Sequence, residues 1–215
     1  RMRLNLGIRR RLAPLLDNDR RKIELANSLL FTLPGSPIVY YGDEIGMGDN
    51  VDLPDRNGVR TPMQWDASPT AGFSMAKPEA LYAPVIDDAT YGAARVNVAA
   101  QRADPDSLWN VTRRMIAVRK QHPAFGWGGF EWIECESSAV VAYLRAYGDE
   151  RLLTLNNLSS STQTVTLGLP QGAPAASVDL LSADRFSVGR DGRLSLVLRP
   201  YQYLWLQLRG GAARQ

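Results

Sequence analysis

An α/β segment followed by an all-β domain is the fold class that this sequence predicts, and three observations predict it. Residues 20–32 and 107–121 carry apolar positions at helical spacing. Between them, Ile38–Tyr41 is a continuous apolar run bounded by turn residues, as a strand buried on both faces reads. From about Trp127 the period changes to two, and short strand candidates follow one another toward the end of the 215-residue chain. The expected division is therefore 1–126 and 127–215.

The first helix is predicted over Arg20–Thr32, with Ile23, Leu25, Ala26, Leu29 and Leu30 on its apolar side and Asp17 or Asp19 as its cap. Leu33-Pro34-Gly35-Ser36-Pro37 stops it. Helix, tight turn and buried strand together suggest an α/β unit in a parallel sheet. After Gly42 a polar stretch rich in Gly, Pro and Asp runs to about Pro105. Unstructured loops beyond about 12–15 residues are uncommon in compact domains unless they serve a function or hold small elements. This one hangs from the carboxyl end of a parallel strand, where α/β proteins build their sites.

The second helix, Ser107–Gln121, places Leu108, Val111, Met115 and Val118 near a spacing of 3.6, with Asp106 or Ser107 as cap and His122-Pro123 as stop. Beyond it "FEWIEC", "AVVAYLRAY", "RLLTLNNL", "QTVTLGL", "SVDLL" and "LSLVLRPYQYLWLQL" read as strands separated by turns such as Gly148-Asp149 and Asp191-Gly192. They predict a small antiparallel sandwich, with Gly210–Gln215 as a frayed tail.

Hydrophobic content of 45% and charged content of 22% are those of an ordinary globular protein and argue against extensive disorder. The net charge is +3, and the one obvious basic cluster, Arg9-Arg10-Arg11, lacks the interleaved aromatics of a nucleic-acid module and is expected to be solvated or internally paired. Cys135 is the only cysteine, which excludes an intramolecular disulfide and a cysteine-based zinc site and fits a reducing, cytoplasmic setting. No run approaches the roughly 20 apolar residues of a membrane span, and no leader peptide is visible. The opening Arg1-Met2-Arg3-Leu4 looks like the interior of a longer protein.

Two groups of residues could carry chemistry. Asp43 and Glu44 end the buried run, either as turn caps paired with arginines or as part of a site at a strand's carboxyl end. In Asp52–Asp66, "DLPDRNGVRTPMQWD", the pair Asp55-Arg56 precedes an Asn57-Gly58 turn, then Arg60 and Gln64-Trp65. An arginine fork suits vicinal oxygens and tryptophan offers a flat face to a sugar ring, a combination that a polyol pocket uses. The competing reading is a charged loop whose arginines neutralise local carboxylates.

"PGSPIVYYGDEIGMGD", followed by "DRNGVRTPMQWD" and "AGFS", resembles the eighth-strand region of the α-amylase superfamily, the family 13 glycoside hydrolases, and most of all the trehalose synthases within it. The resemblance runs from about Gly7 to Gln121 and is weaker in the sandwich. It implies the C-terminal portion of a (β/α)8 TIM barrel, comprising helix 7, strand 8, a long loop and helix 8, followed by the sandwich. It also implies an isomerase that interconverts maltose and trehalose by retaining intramolecular glucosyl transfer.

On this resemblance the three catalytic carboxylates lie upstream, none is in this chain, and the chain alone is inactive. Arg60 matches an arginine that contacts the nonreducing glucose; Asp55 and Arg56 could reach the second sugar or a gate. Asp43, Glu44, Gln64 and Trp65 match motifs of the active-site wall, with a buried scaffold role open for the last two. No organic cofactor is expected. Calcium often accompanies the family, although Asp43, Asp49, Asp52 and Asp55 lack the spacing of a calcium loop. Expected partners are the remainder of the barrel, a further copy in a homo-oligomer and a maltokinase, with neither nucleic acid nor membrane. The alternatives are a hydrolytic α-glucosidase, or a noncatalytic carbohydrate-binding or assembly module using Trp127, Trp132, Tyr201, Tyr203 and Trp205.

Overall fold

The computed structural model describes residues 9–170 and 175–208, so the predicted tail at 210–215 lies outside the described residues. Two compact units are present. The first is built from the described residues up to Glu24 together with Ile38–Arg113, and the second from Leu25–Pro37 with the described residues from Arg114 onward.

In the first unit α1, Leu12–Leu15, is a single turn. The helix α2 spans Arg20–Thr32, as the spacing predicts, and Asp19 Oδ1 accepts from the Arg21 N–H at 3.0 Å at its start. The buried cluster Ala13, Ile23 and Leu108 gathers around these elements.

Ile38–Tyr41 differs from the expectation of a doubly buried strand. It is not part of a sheet, and Ile38 is 84% exposed. A parallel strand exists only through hydrogen bonds to its neighbours, and among the described residues no strand lies beside this run. The long polar segment behind it is not structureless. It folds through 3-10 turns at Asp43–Ile45, Asn57–Val59 and Pro78–Ala80 and through α3, Val98–Ala103, around an apolar cluster of Ile45, Met47, Met63, Ile86 and Val98. Asn97 caps α3 by accepting from the Ala100 N–H at 2.8 Å.

The helix α4 spans Leu108–Gln121, with Ser107 Oγ accepting from the Asn110 N–H at 3.3 Å. His122-Pro123 ends it, but Pro123 also opens a further short helix, α5, Pro123–Trp127.

The second unit carries an antiparallel sandwich. Its larger sheet has the order β1-β2-β3-β8-β5-β6, formed by Gly129–Ile133, Val140–Tyr147, Glu150–Asn157, Tyr203–Leu208, Ala176–Asp179 and Arg185–Ser187. The smaller sheet pairs β4, Gln163–Gly168, with β7, Arg193–Leu198. Leucines and valines from both inner faces form one core, including Leu153, Leu155, Leu167, Leu194, Leu196 and Leu206. The run 194–208 is two strands in different sheets, divided at Pro200 and at Tyr201, which has a left-handed φ of 58°.

Candidate functional site

The candidate site lies in the first unit and starts from the turn after Tyr41. Gly42 has φ 91° and Gly46 φ 74°, so the chain reverses on either side of Asp43–Ile45. At Gly42 a side chain is excluded twice, by that φ and because a Cβ would stand 2.6 Å from Met47 Sδ. Neither acid of the turn projects freely. Asp43 Oδ1 accepts from the Leu12 N–H at 3.0 Å, and Glu44 Oε2 accepts from the Gly42 N–H at 2.7 Å. Burial pushes both carboxyls above their ordinary pKa, against the lowering effect of these backbone N–H groups.

Arg11, 1% exposed, holds this turn against the following segment. Its Nη1 donates to Gly48 O at 2.6 Å and to Thr61 Oγ1 at 3.3 Å, and its guanidinium carbon lies 5.0 Å from the Tyr41 ring centre. The Arg11 N–H also donates to Asp49 Oδ1 at 2.7 Å, and Arg10 Nε stands 3.1 Å from Asp49 Oδ2. Burial raises the Asp49 pKa, with Arg10 and Arg11 opposing. Of the three arginines in the basic cluster, Arg11 is therefore internal, Arg10 is ion-paired and Arg9 is exposed, which is the paired-and-solvated arrangement expected of it.

Three tyrosine hydroxyls hold three successive carbonyls of the next segment. Tyr40 Oη donates to Val59 O at 3.1 Å, Tyr82 Oη to Arg60 O, and Tyr41 Oη to Thr61 O at 2.9 Å. The backbone that presents Arg60 is thereby fixed on both sides. Gly58 lets the same segment pass close against Asn50, because a Cβ there would meet the Asn50 carbonyl oxygen at 2.4 Å. Burial lifts the Tyr41 hydroxyl to about 12; Arg11 opposes this shift and the neighbouring Tyr82 and Tyr40 add to it.

The Arg60 side chain is exposed and, among the described residues, its guanidinium takes part in no hydrogen bond or ion pair. Arg56 is differently placed. Its Nε stands 3.4 Å from Asp55 Oδ2, and Asp55 adopts φ 55° on an exposed turn. Gln64 is wholly buried and donates through Nε2 to Tyr91 O at 3.0 Å and to Val96 O, while its backbone carbonyl accepts from the Val98 N–H at 3.0 Å. Trp65 is 50% exposed, anchored by its backbone to Ala71 and Ala99. The adjacent Gln64 and Trp65 thus differ: one ties the segment together and the other offers a ring to solvent.

Sequence reasoning missed Arg11 and Tyr82 as parts of this arrangement. The signal for Arg11 was its place in the basic cluster; nothing local marks Tyr82. As for calcium, no three His, Cys, Asp or Glu residues among those described come together as a possible metal-ligand set. Asp43, Asp49, Asp52 and Asp55 therefore do not fit the ion as a group.

The turn, the tyrosine-held arginine segment and the sandwich that follows define a class through their sequence. Residues 9–128 match the alpha-amylase catalytic domain family and residues 130–205 match the maltogenic amylase C-terminal domain. The chain belongs to the α-amylase family. Within it, the chain is 50% identical to the trehalose synthase/amylase TreS of Mycobacterium tuberculosis over 97% of its own length and 35% of that protein. It is 48% identical to the trehalose synthase of Pimelobacter sp. over 97% of its length and 37% of that protein. The chain thus spans little more than a third of these curated relatives. In fold it is similar to the trehalulose synthase MutB of Pseudomonas mesoacidophila, with a TM-score of 0.70 at 24% identity, covering 93% of this chain and 41% of that one.

Proposed function

We propose that this chain is part of an enzyme that interconverts maltose and trehalose by intramolecular glucosyl transfer. The observation that carries the reading is the 50% identity, over 97% of the chain, to a protein whose name states trehalose synthase activity. The geometry is in keeping with it: an exposed arginine, free of internal partners among the described residues, stands on a rigidly held backbone.

In the proposed mechanism the catalytic carboxylates come from upstream of this chain. One attacks the anomeric carbon of the nonreducing glucose while a carboxyl group about 5–5.5 Å away protonates the departing glycosidic oxygen. The bond from carbon to that oxygen breaks and a glycosyl ester forms. The released glucose turns in place, and its anomeric hydroxyl attacks the anomeric carbon of the glycosyl ester. The nucleophilic carboxylate leaves and the hydroxyl proton passes to the acid/base carboxylate. Maltose has then become trehalose with no water consumed.

Arg60 is assigned to the nonreducing glucose, where its fork of N–H donors addresses vicinal hydroxyls. Asp43 and Glu44 support the wall by closing their turn, and the folded segment from Gly42 to Pro105 excludes water. Asp55 and Arg56, paired on their exposed turn, are assigned to the second sugar or the gate of the site. The remainder of the barrel, from the same enzyme, completes the site.

The test is proton NMR of the anomeric region while the full-length enzyme acts on maltose. A growing trehalose signal is expected, and Arg60→Ala should reduce its rate at least about 100-fold, consistent with losing a charged hydrogen-bonded contact of ~3 kcal/mol. Accumulation of glucose alone would replace the reading with hydrolysis. An Arg60→Ala enzyme with unchanged kinetics would remove the site assignment.

A further inference from the structure

Thr61, the residue after Arg60, is wholly buried and is held at two atoms by two different side chains. Arg11 Nη1 donates to its Oγ1 at 3.3 Å, and Tyr41 Oη donates to its carbonyl at 2.9 Å. One residue earlier, the peptide between Val59 and Arg60 is held at both ends. The Val59 carbonyl accepts from Tyr40 Oη at 3.1 Å, and the Arg60 N–H donates to Asn57 O at 2.9 Å. Both partners of every one of these ties belong to the first unit, so the ties are internal to this chain whatever completes the barrel.

No helix or strand ladder fixes the backbone here. Arg60 follows the 3-10 turn Asn57–Val59 with φ −107° and ψ 19°, in the bridge region between helix and strand, and Pro62 removes the next N–H. Packing alone would be met by an apolar side chain at position 61, as it is by Val59 and Met63 on either side, both buried. A buried hydroxyl costs its desolvation unless it is paired, and what the pair adds over apolar contact is direction. The Tyr41 hydroxyl, raised to about 12 mainly by burial, remains a donor at neutral pH. We propose that Thr61 is a positioning residue for the transfer, held by Arg11 and Tyr41 so that the Arg60 side chain leaves the backbone at one place and in one direction. The proposal rests on the assignment of Arg60 to the nonreducing glucose, and it extends that site inward to Arg11, which reaches Thr61 across 50 residues of chain.

The experiment measures kcat and KM on maltose for the full-length enzyme as wild type, Thr61→Val, Thr61→Ser, Arg60→Ala and the double variant Thr61→Val with Arg60→Ala, with melting temperatures alongside. Thr61→Val removes the hydroxyl at nearly constant volume, and Arg11 Nη1 keeps its bond to Gly48 O. It should lower kcat/KM roughly 5- to 10-fold, the size of one hydrogen bond, and Thr61→Ser should restore most of that. In the Arg60→Ala background the same change should cost less than about 2-fold, because no guanidinium is left to misplace. An equal loss in both backgrounds would overturn the proposal, since Thr61 would then act independently of Arg60, and so would wild-type kcat/KM in Thr61→Val. Should Thr61→Val fail to fold, Tyr41→Phe, which frees the Thr61 carbonyl, goes through the same cycle and decides. Wild-type kinetics in Arg60→Ala would instead overturn the sugar assignment, and the positioning role with it.

Discussion

Arg11 Nη1 donates to the carbonyl oxygen of Gly48 across 2.6 Å, so that a buried guanidinium closes the turn carrying Asp43 and Glu44. The same side chain reaches Thr61 Oγ1 and lies over the Tyr41 ring. Arg11→Met should cost ~3–5 kcal/mol, because it strands the Gly48 carbonyl and removes a cation from among buried carboxyls. Arg11→Lys should recover less than half of that, since one ammonium cannot replace a planar fork. Denaturant melts of the full-length protein measure both.

The carboxyls of Asp43, Glu44 and Asp49 have folded pKa values above their ordinary 3.8, 4.5 and 3.8 because they are buried. A raised folded pKa favours the folded state in acid, and that contribution is lost as pH rises through the folded value. Asp43→Asn keeps an oxygen for the Leu12 N–H and removes one titrating group. Its stability relative to wild type should therefore improve as pH climbs from about 4 toward neutrality. A variant that tracks wild type at every pH would show that Asp43 ionises as it does in the unfolded chain.

Tyr41 gives the corresponding prediction at high pH. Its hydroxyl is pushed from 10.0 to about 12 and donates to Thr61 O. The folded state holds this proton where the unfolded chain has released it, so stability should fall between pH 10 and 12 and less so in Tyr41→Phe. Difference absorbance of the phenolate, wild type minus Tyr41→Phe, should show one tyrosine titrating near the upper end of that window.

How much of this was legible depended on how local the determinant was. The helix Arg20–Thr32 and alternating strands such as Gln163–Gly168 follow from short-range spacing and are readable to within a residue or two, whereas the short strand Arg185–Ser187 is not among the strands that the sequence predicts. Ile38–Tyr41 was read as a strand from its apolar run, but strand pairing depends on neighbours that the run itself does not specify. The buried face of α2 includes Ser28 and Thr32, which hydropathy hides because their hydroxyls are satisfied by distant residues. In the site, the Tyr40-Tyr41 pair stands beside Gly42 in plain view, whereas Tyr82 joins Arg60 across 22 residues through one backbone carbonyl. Contacts of side chain to backbone carry no residue-type signature at the accepting end.

Gln64 tests the cohesion of the segment. Its amide Nε2 donates to both Tyr91 O and Val96 O inside the fold. Gln64→Glu replaces two donors with a carboxylate aimed at two carbonyl oxygens. It should destabilise by ~2–4 kcal/mol at neutral pH. The introduced acid would have a raised folded pKa, so part of the loss should return as the solution is acidified. Gln64→Leu should be comparably destabilised without that recovery. Equal pH profiles for the two variants would refute the carbonyl contact as the cause.

In the second unit, Trp205 Nε1 donates to Ser28 Oγ at 2.8 Å, and that hydroxyl donates onward to Asn156 Oδ1 at 3.0 Å. All three residues are buried, so the serine is the central link of a relay with no access to water. Ser28→Ala leaves the indole N–H and the Asn156 oxygen unpaired and should cost ~1–3 kcal/mol. Trp205→Phe removes the donor but also vacates volume beside Phe125, whose ring lies 5.1 Å away, and should cost more. The pair should couple in a double-mutant cycle by at least about 0.5 kcal/mol, because the serine substitution matters less once the indole is gone. Strictly additive losses would mean that the hydrogen bond contributes nothing, and that Ser28 is buried there for its size alone.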